Sequence, residues 1–208
     1  PALVPLLCRG GWFSKWAGIR ALGTASLYVE EERFDSETGE LQLTDSGISG
    51  IPVFQLSRYA AEALSRGQKT EMYLDFLPDY SWEALTEYLS VRKKQCPYKS
   101  GRDLLIGLIP ERLIPVLLPR DMDFRQMAGS IKAFPVEIKG TASLKQAQVC
   151  SGGVPLRELT ENLESCLVKG VYFTGEAADV DGACGGYNLQ WAWSSGAAAG
   201  AHAAGGTL

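Results

Sequence analysis

Between Val171 and Ala204 the sequence runs VYFTGEAADVDGACGGYNLQWAWSSGAAAGAHAA. The residues in it that could do chemistry are Glu176, Asp179, Asp181, Cys184, the glycine pair Gly185-Gly186, and Tyr187-Asn188-Leu189 at the start of a run of small residues. A carboxylate at the C-terminal end of a short apolar strand sits where open α/β sheets bind ligands. It accepts hydrogen bonds from hydroxyls and repels phosphate, so Glu176 suits a sugar or polyol partner. Glycines at 185 and 186 let backbone approach a ligand with no Cβ in the way. A helix opening at Tyr187 turns unpaired amides and the positive end of its dipole toward negative charge. Gly196 and Gly200, four residues apart, give that helix a small face able to lie close against a sheet.

Each of these residues also has a plain structural use. Gly-Glu after a strand occurs in ordinary turns, and alanine-rich helices with glycines are often only tightly packed. Asp179 and Asp181 are either catalytic carboxylates or caps of the loop beside Gly182. Cys184 is either a redox thiol or a small residue at a close approach, and no nearby cysteine pairs with it. His202, the only histidine, lies in the alanine-rich tail, which argues against a Ser/His/Asp triad.

The elements that would position these residues follow from periodicity. From Gly18 to Glu30, Ile19, Ala21, Ala25, Leu27 and Val29 alternate with polar neighbours as in a half-buried strand. Glu37-Thr38-Gly39 reads as a turn and Glu40 to Thr44 as the partner strand. Ser49 reads as the N-cap of a helix with Pro52 in its first turn. Its apolar face is Val53, Leu56, Ala60, Ala63 and Leu64, and Gly67 closes it. Met72, Leu74 and Phe76 restore strand alternation. Between Pro78 and Phe134 the period becomes helical. Ser81 caps a helix that turns Trp82, Leu85, Tyr88 and Leu89 inward. Pro97 ends it, short helices broken by Pro110 and Pro115 span Leu104 to Leu118, and another covers Asp123 to Ala133. Val136, Ile138 and Ala147 to Val149 read as strands again, and Val171 to Thr174 as a buried strand. The expectation is an α+β chain: a β-rich unit from residues 1–78 and 134–154, a helical bundle at 79–133, and a strand-loop-helix segment at 155–208.

Bulk properties narrow the classes. At 208 residues, 46% hydrophobic and 21% charged, the chain has the composition of a globular protein. Lys plus Arg number 20 against 24 Asp plus Glu, a net charge of -4, and the longest basic run is Arg92-Lys93-Lys94. By that measure nucleic acid is not an expected partner. The five cysteines are scattered, without CxxC spacing, so neither a disulfide framework nor a zinc site is expected and a reducing cytoplasm is the expected compartment. No apolar run approaches the roughly 20 residues of a membrane helix, so no membrane partner is expected. The first residue is Pro1, which reads as the interior of a longer protein.

The stretch GVYFTGEAADVDGACGGYNLQWAWSSGAAAG closely resembles the C-terminal signature of the bacterial FAD-dependent flavoproteins of the aminoacetone oxidase, or BaiN-like NAD(P)/FAD-dependent oxidoreductase, family. PALVPL at the start, GELQLTDSGISGIPVFQLS at 39 to 57 and FPVEIKGTASLKQAQVCSGGV at 134 to 154 agree with it in order and spacing. The resemblance therefore spans essentially the whole chain. It implies a FAD domain of glutathione-reductase type into which a β-barrel and a three-helix bundle are inserted. It further implies that Gly175-Glu176 meets the ribitol and nearby phosphate region of FAD, with Asp181 in the same loop. Gly185, Gly186, Tyr187, Asn188 and Leu189 would lie along the pyrimidine side of the isoalloxazine, and Ser151-Gly152-Gly153 in a loop near the flavin. Ser49 and Gly50 fall in a family motif without an assigned role. The family's G-x-G-x-x-G loop, which holds the pyrophosphate at a helix N-terminus, has no counterpart in the 208 residues.

Two functional expectations follow. The first is that the chain is the insert module and C-terminal return of an FAD-dependent oxidoreductase acting on a small molecule, itself colourless and inactive. Its last thirty-odd residues would be mobile or packed against a neighbouring copy. The second is a non-catalytic module, a barrel with a helical insert that serves as an interaction or substrate-admitting domain, whose glycine-rich tail only packs.

Overall fold

The computed structural model describes residues 1–205, so the last three residues of the expected 155–208 segment lie outside the described residues. The described chain forms two compact units, one of Val4–Ala142 and one of Pro1–Leu3 with Ser143 onward.

In the larger unit the strands β1 (Leu6–Cys8), β2 (Arg20–Val29), β3 (Glu32–Leu43), β4 (Gly47–Gly50), β5 (Thr70–Asp75) and β6 (Phe134–Thr141) close into an antiparallel barrel. The order around it is β1-β4-β3-β2-β5-β6, and β6 pairs back to β1 through Leu6 opposite Thr141. Alternation along β2 and β5 puts Ala25, Leu27, Met72 and Leu74 in the core, as their period of two requires. A short helix α1 (Phe13–Trp16) buries Phe13 and Trp16, and α2 (Ile51–Ser65) buries Val53, Leu56 and Ala60. Because α2 touches β2, β3, β4, β5 and β6, it lies across one mouth of the barrel.

The β2–β3 turn falls at Glu30-Glu31, both with positive φ, between the paired Val29 and Glu32. The expected turn at Glu37-Thr38-Gly39 is corrected: Thr38 pairs with Thr24 and Gly39 with Gly23 inside the ladder. Glycine serves close approach there, since a Cβ on Gly23 would lie 2.5 Å from the Asp75 carbonyl oxygen. The expected cap at Ser49 is corrected too. Gly50, with φ of 103°, precedes α2 and no side chain caps it, while Ser49 is buried on β4. A Cβ on Gly50 would sit 2.2 Å from the Glu40 carbonyl oxygen, which gives the Ser49-Gly50 pair a packing role.

Between β5 and β6 come α3 (Trp82–Gln95), a broken run containing α4 (Ile114–Leu117), and α5 (Phe124–Lys132). Ser81 accepts the Ala84 amide at 3.1 Å, and Asp123 and Gln126 form a reciprocal capping box on α5. Leu85 and Leu89 are fully buried, whereas Trp82 is half-buried and Tyr88 exposed. These helices do not keep a core of their own. Leu85, Leu89, Met127 and Ile131 belong to one continuous apolar cluster with Leu74, Phe76 and Val136 of the barrel. The 79–133 segment, read from sequence as a separate bundle, thus packs as part of the Val4–Ala142 unit.

The smaller unit has little regular structure apart from the helix α6 (Tyr187–Ala203). Leu159, Leu163, Ala178 and Ala199 form its core, with Val154, Tyr172, Phe173 and Trp191 against them. The expected strands at 147–149 and 171–174 are reduced to single bridges, Ala2 to Val149 and Glu164 to Tyr172. A strand needs a neighbour along its length. Here Val171 meets the backbone of Ser165 and Val168, and Phe173 that of Leu163. Residues 143–154, read from sequence with the β-rich unit, fall in this smaller unit.

Candidate cofactor site

The site is built wholly within the smaller unit. Gly175 is its fixed point, buried, with φ of 58°. Its amide donates to Ser195 Oγ at 2.9 Å, and its carbonyl accepts from Trp191 Nε1 at 2.9 Å. Two side chains one helical turn apart on α6 therefore hold both polar groups of one peptide position. Sequence reading missed both, although their spacing of four marks them as one face.

Glu176 follows at once. Its Oε1 accepts the Cys150 amide, and its Oε2 bonds to no described residue. The loop from Cys150 to Val154 is tied to the same strip of chain at further points. The Ser151 hydroxyl donates to Asp181 Oδ2 at 3.2 Å, and the Gly152 amide to Asp179 Oδ1 at 3.1 Å. Val154 forms a parallel bridge to Ala178. Gly153 makes this approach tolerable, for a Cβ there would meet the Ala177 carbonyl oxygen at 2.7 Å. Asp179 thus has a loop-bracing role. Ser151, Gly152, Gly153, Gly175, Glu176 and Asp181 are thus brought together.

The start of α6 carries the remaining expected residues. Gly186 is in the left-handed region, with φ of 94°, Gly185 has φ of 122°, and no side chain caps the helix. Asn188 turns back instead, accepting the Gly182 amide at 2.7 Å and donating to the Gly182 carbonyl at 3.0 Å. That bracing role was not expected for it. The first amides of α6 have no intrahelical acceptor by geometry. An ideal Cβ on Gly186 would meet nothing within 4 Å, so the protein leaves open the space over this peptide. Tyr187 and Leu189 are exposed. Below them lies a hollow of about 360 Å³ whose wall includes Glu176, Gly185, Gly186, Asn188, Leu189 and Trp191. Gln148 and Val180 also line it and were not anticipated. The hollow thus offers an acceptor carboxylate at one place and uncapped amides at another, a combination able to hold a polyol joined to a ring with an electron-rich edge. No group of three or more His, Cys, Asp or Glu is placed to bind a metal among the described residues.

Residues 1–149 match the HI0933-like protein barrel and H2TH domain, more than half of the chain. The chain belongs to that family. Among curated proteins it is 37% identical, over 98% of its length, to the 3-dehydro-bile acid delta(4,6)-reductase of Clostridium scindens, covering 53% of that protein. It is 32% identical over 75% of its length to the ribosomal RNA dihydrouridine synthase of Haemophilus influenzae, and 33% identical over 74% to that of Escherichia coli, covering 40% of each. The chain therefore spans about half or less of the curated relatives it matches. The matched domain of this HI0933-like chain coincides with the barrel and helices and takes in Gln148 and Val149. The other residues of the hollow lie outside it, apart from Leu3.

Proposed function

We propose that these residues belong to an FAD-dependent oxidoreductase whose flavin is held in part by the smaller unit. The observation carrying this reading is the uncapped, glycine-opened start of α6 beside Glu176. When bound, the flavin would supply hydride chemistry. The chain's part is to orient it. The free Glu176 oxygen accepts from ribitol hydroxyls, the amides after Gly186 face the pyrimidine edge, and Gly175 fixes the turn between them. The loop from Ser151 to Gly153, tied to Asp179 and Asp181, keeps Glu176 in place.

The two kinds of relative act on chemically distant substrates, a bile acid and an RNA nucleotide, yet each name describes reduction of a carbon–carbon double bond. Reduction of such a bond is the reaction class we propose for the whole protein. The 208 residues alone lack the glycine loop that neutralises a pyrophosphate. Association costs an estimated 4–15 kcal/mol, which the ribitol and ring contacts alone do not offset, so the isolated chain holds no FAD. Leu189, Trp193, Gly196 and Gly200 share one exposed side of α6, which we read as the face that packs on the remainder of the FAD domain. In the isolated chain that face leads to self-association.

The test uses the full-length protein. Its absorption spectrum should show a flavin band, and Gly186→Val should abolish it, because a branched side chain enters the open space over the peptide. Glu176→Ala should weaken FAD binding by about 1.5–3 kcal/mol. Flavin content unchanged in both variants would refute the assignment. For the isolated chain, saturable micromolar FAD binding followed by flavin fluorescence would show that the missing glycine loop is dispensable.

A further inference from the structure

Cys184 has no cysteine near it in sequence, yet the fold of the smaller unit brings one close. Cys184 Sγ lies 3.7 Å from Gln148 Oε1, the Ser151 hydroxyl 3.2 Å from Asp181 Oδ2, and the Gly152 amide 3.1 Å from Asp179 Oδ1. These contacts set two strips of chain against each other in opposite directions, 148 to 152 facing 184 to 179. Cys150 stands between Gln148 and Ser151, so it falls opposite the stretch from Asp181 to Cys184. Its facing is fixed as well. Val149 is buried and bridges to Ala2, while Gln148 and Cys150 on either side of it are exposed. Alternation about a bridge puts the side chains of 148 and 150 on one face, the face on which Cys184 meets Gln148.

Both residues are thiols here, Cys150 exposed and Cys184 half-buried. A disulfide needs Cα atoms about 4.4–6.8 Å apart. Residues two apart on an extended strip are separated by roughly 6.5 Å, and a shift smaller than that step carries Cys184 Sγ from Gln148 to Cys150. Glycine supplies the give. Gly152 has φ of 101° and Gly185 φ of 122°, and an ideal Cβ would meet nothing within 4 Å at Gly152 and only the Tyr187 ring, at 3.9 Å, at Gly185. Cys166, the third cysteine of the unit, is held elsewhere: its amide donates to the Glu158 carbonyl at 2.8 Å, next to Ser165 on Val171.

We propose that Cys150 and Cys184 form a reversible disulfide that controls access to the hollow beside Glu176; what the hollow holds rests on the flavin reading above. The oxidant is a hydroperoxide, such as the hydrogen peroxide that reduced flavins release on reaction with dioxygen. The more exposed Cys150 attacks peroxide oxygen as its thiolate and becomes a sulfenic acid, one water leaving. The Cys184 sulfur then attacks Cys150 sulfur, the S–S bond forms, and the sulfenic oxygen departs as a second water. The two thiols lose two protons and two electrons, and the peroxide that takes them becomes two waters. Val149 beside one cysteine and Gly185 beside the other both line the hollow. The bridge therefore ties wall to wall, and cofactor exchange slows in both directions until a dithiol reduces it.

The first experiment needs no flavin. The reduced 208-residue chain, kept dilute, is exposed to hydrogen peroxide, its remaining thiols are alkylated, and its peptides are mapped by mass spectrometry. A peptide joining Cys150 to Cys184 is expected, lost in Cys150→Ser and in Cys184→Ser and retained in Cys166→Ser. The amides of Gly185 and Gly186 should then exchange with solvent slower by roughly tenfold or more, reversibly with dithiothreitol. A sulfinic acid on Cys150 without the crosslink, bridging of either cysteine to Cys166, or bridges between chains alone would overturn the proposal. The second experiment follows flavin release from the full-length protein by fluorescence. Peroxide should slow release roughly tenfold, and Cys150→Ser should lose that response. Release unchanged by a mapped crosslink would overturn control of the hollow. Full-length protein devoid of flavin would refute the cofactor reading, and the gating with it, while the crosslink stands on the first experiment.

Discussion

Ser195 reaches across from α6 to take the Gly175 amide on its hydroxyl, 2.9 Å away, and both residues are buried. The same hydroxyl donates to the Trp191 carbonyl at 2.6 Å, so one oxygen joins the helix to the turn ahead of Glu176. Ser195→Ala removes the acceptor and strands a buried amide. It should destabilise the smaller unit by about 1–3 kcal/mol, read by hydrogen exchange at Gly175, while the barrel's exchange stays unchanged.

Lys132 and Asp75 form an ion pair whose side chains are only 15% and 19% exposed. Lys132 also donates to the Leu77 carbonyl, and Asp75 accepts the Leu77 amide. The cluster fastens the end of α5 to the end of β5. Lys132→Met should cost about 2 kcal/mol in urea unfolding, below the 3–5 kcal/mol of a fully buried pair because water still reaches this one. The double variant with Asp75→Asn should recover part of that loss.

Burial pushes the Cys8 thiol up to about 12, and the neutral thiol donates weakly to the Leu6 carbonyl. A folded value above the unfolded one means the folded chain binds the proton more tightly. The associated stability is complete below about pH 9 and is lost between about 9 and 12, at up to about 1.4 kcal/mol per pH unit. Cys8→Ala should flatten the fall in stability over that window. At pH 8 the exposed Cys150 and Cys166 should react with a thiol reagent in the native protein, and Cys8 only after unfolding.

Gly50→Ala should be among the most damaging single changes in the barrel. Its φ of 103° disfavours any Cβ, and that Cβ would overlap the Glu40 carbonyl oxygen on the neighbouring strand. A loss above about 3 kcal/mol, or failure to accumulate folded protein, is expected. Gly186→Ala, in a left-handed position but open space, should cost only about 1–2 kcal/mol in a thermal melt.

Strands and helices with a strong period were legible from the residues alone. Leu27, Met72, Leu85 and Leu89 all point where their spacing says, and Ser81 caps its helix. What misled was glycine. Gly39 looked like a turn because the sequence does not show that it pairs with Gly23 inside the ladder and lies against the Pro52 ring. The turn went instead to Glu30-Glu31, two residues without turn character, because the β2–β3 register left them at the tip. Within the site, Glu176 and the glycines announce themselves by type, whereas Trp191 and Ser195 act through distances that no local pattern encodes.

The barrel closes through its shortest strand. Leu6, Leu7 and Cys8 hydrogen-bond on one side to β4 and on the other to β6, joining Leu6 to Thr141. The closing contacts thus span nearly the whole of the larger unit in sequence. Such a high contact order places closure late and slow among folding events of this size. On the ribosome, strands β2 to β5 and helices α2 to α5 can assemble while the last edge waits for residues 134 to 141 to emerge. During that interval the nascent chain displays the open edge of β5, and a chaperone or a second nascent copy competes with β6 for it.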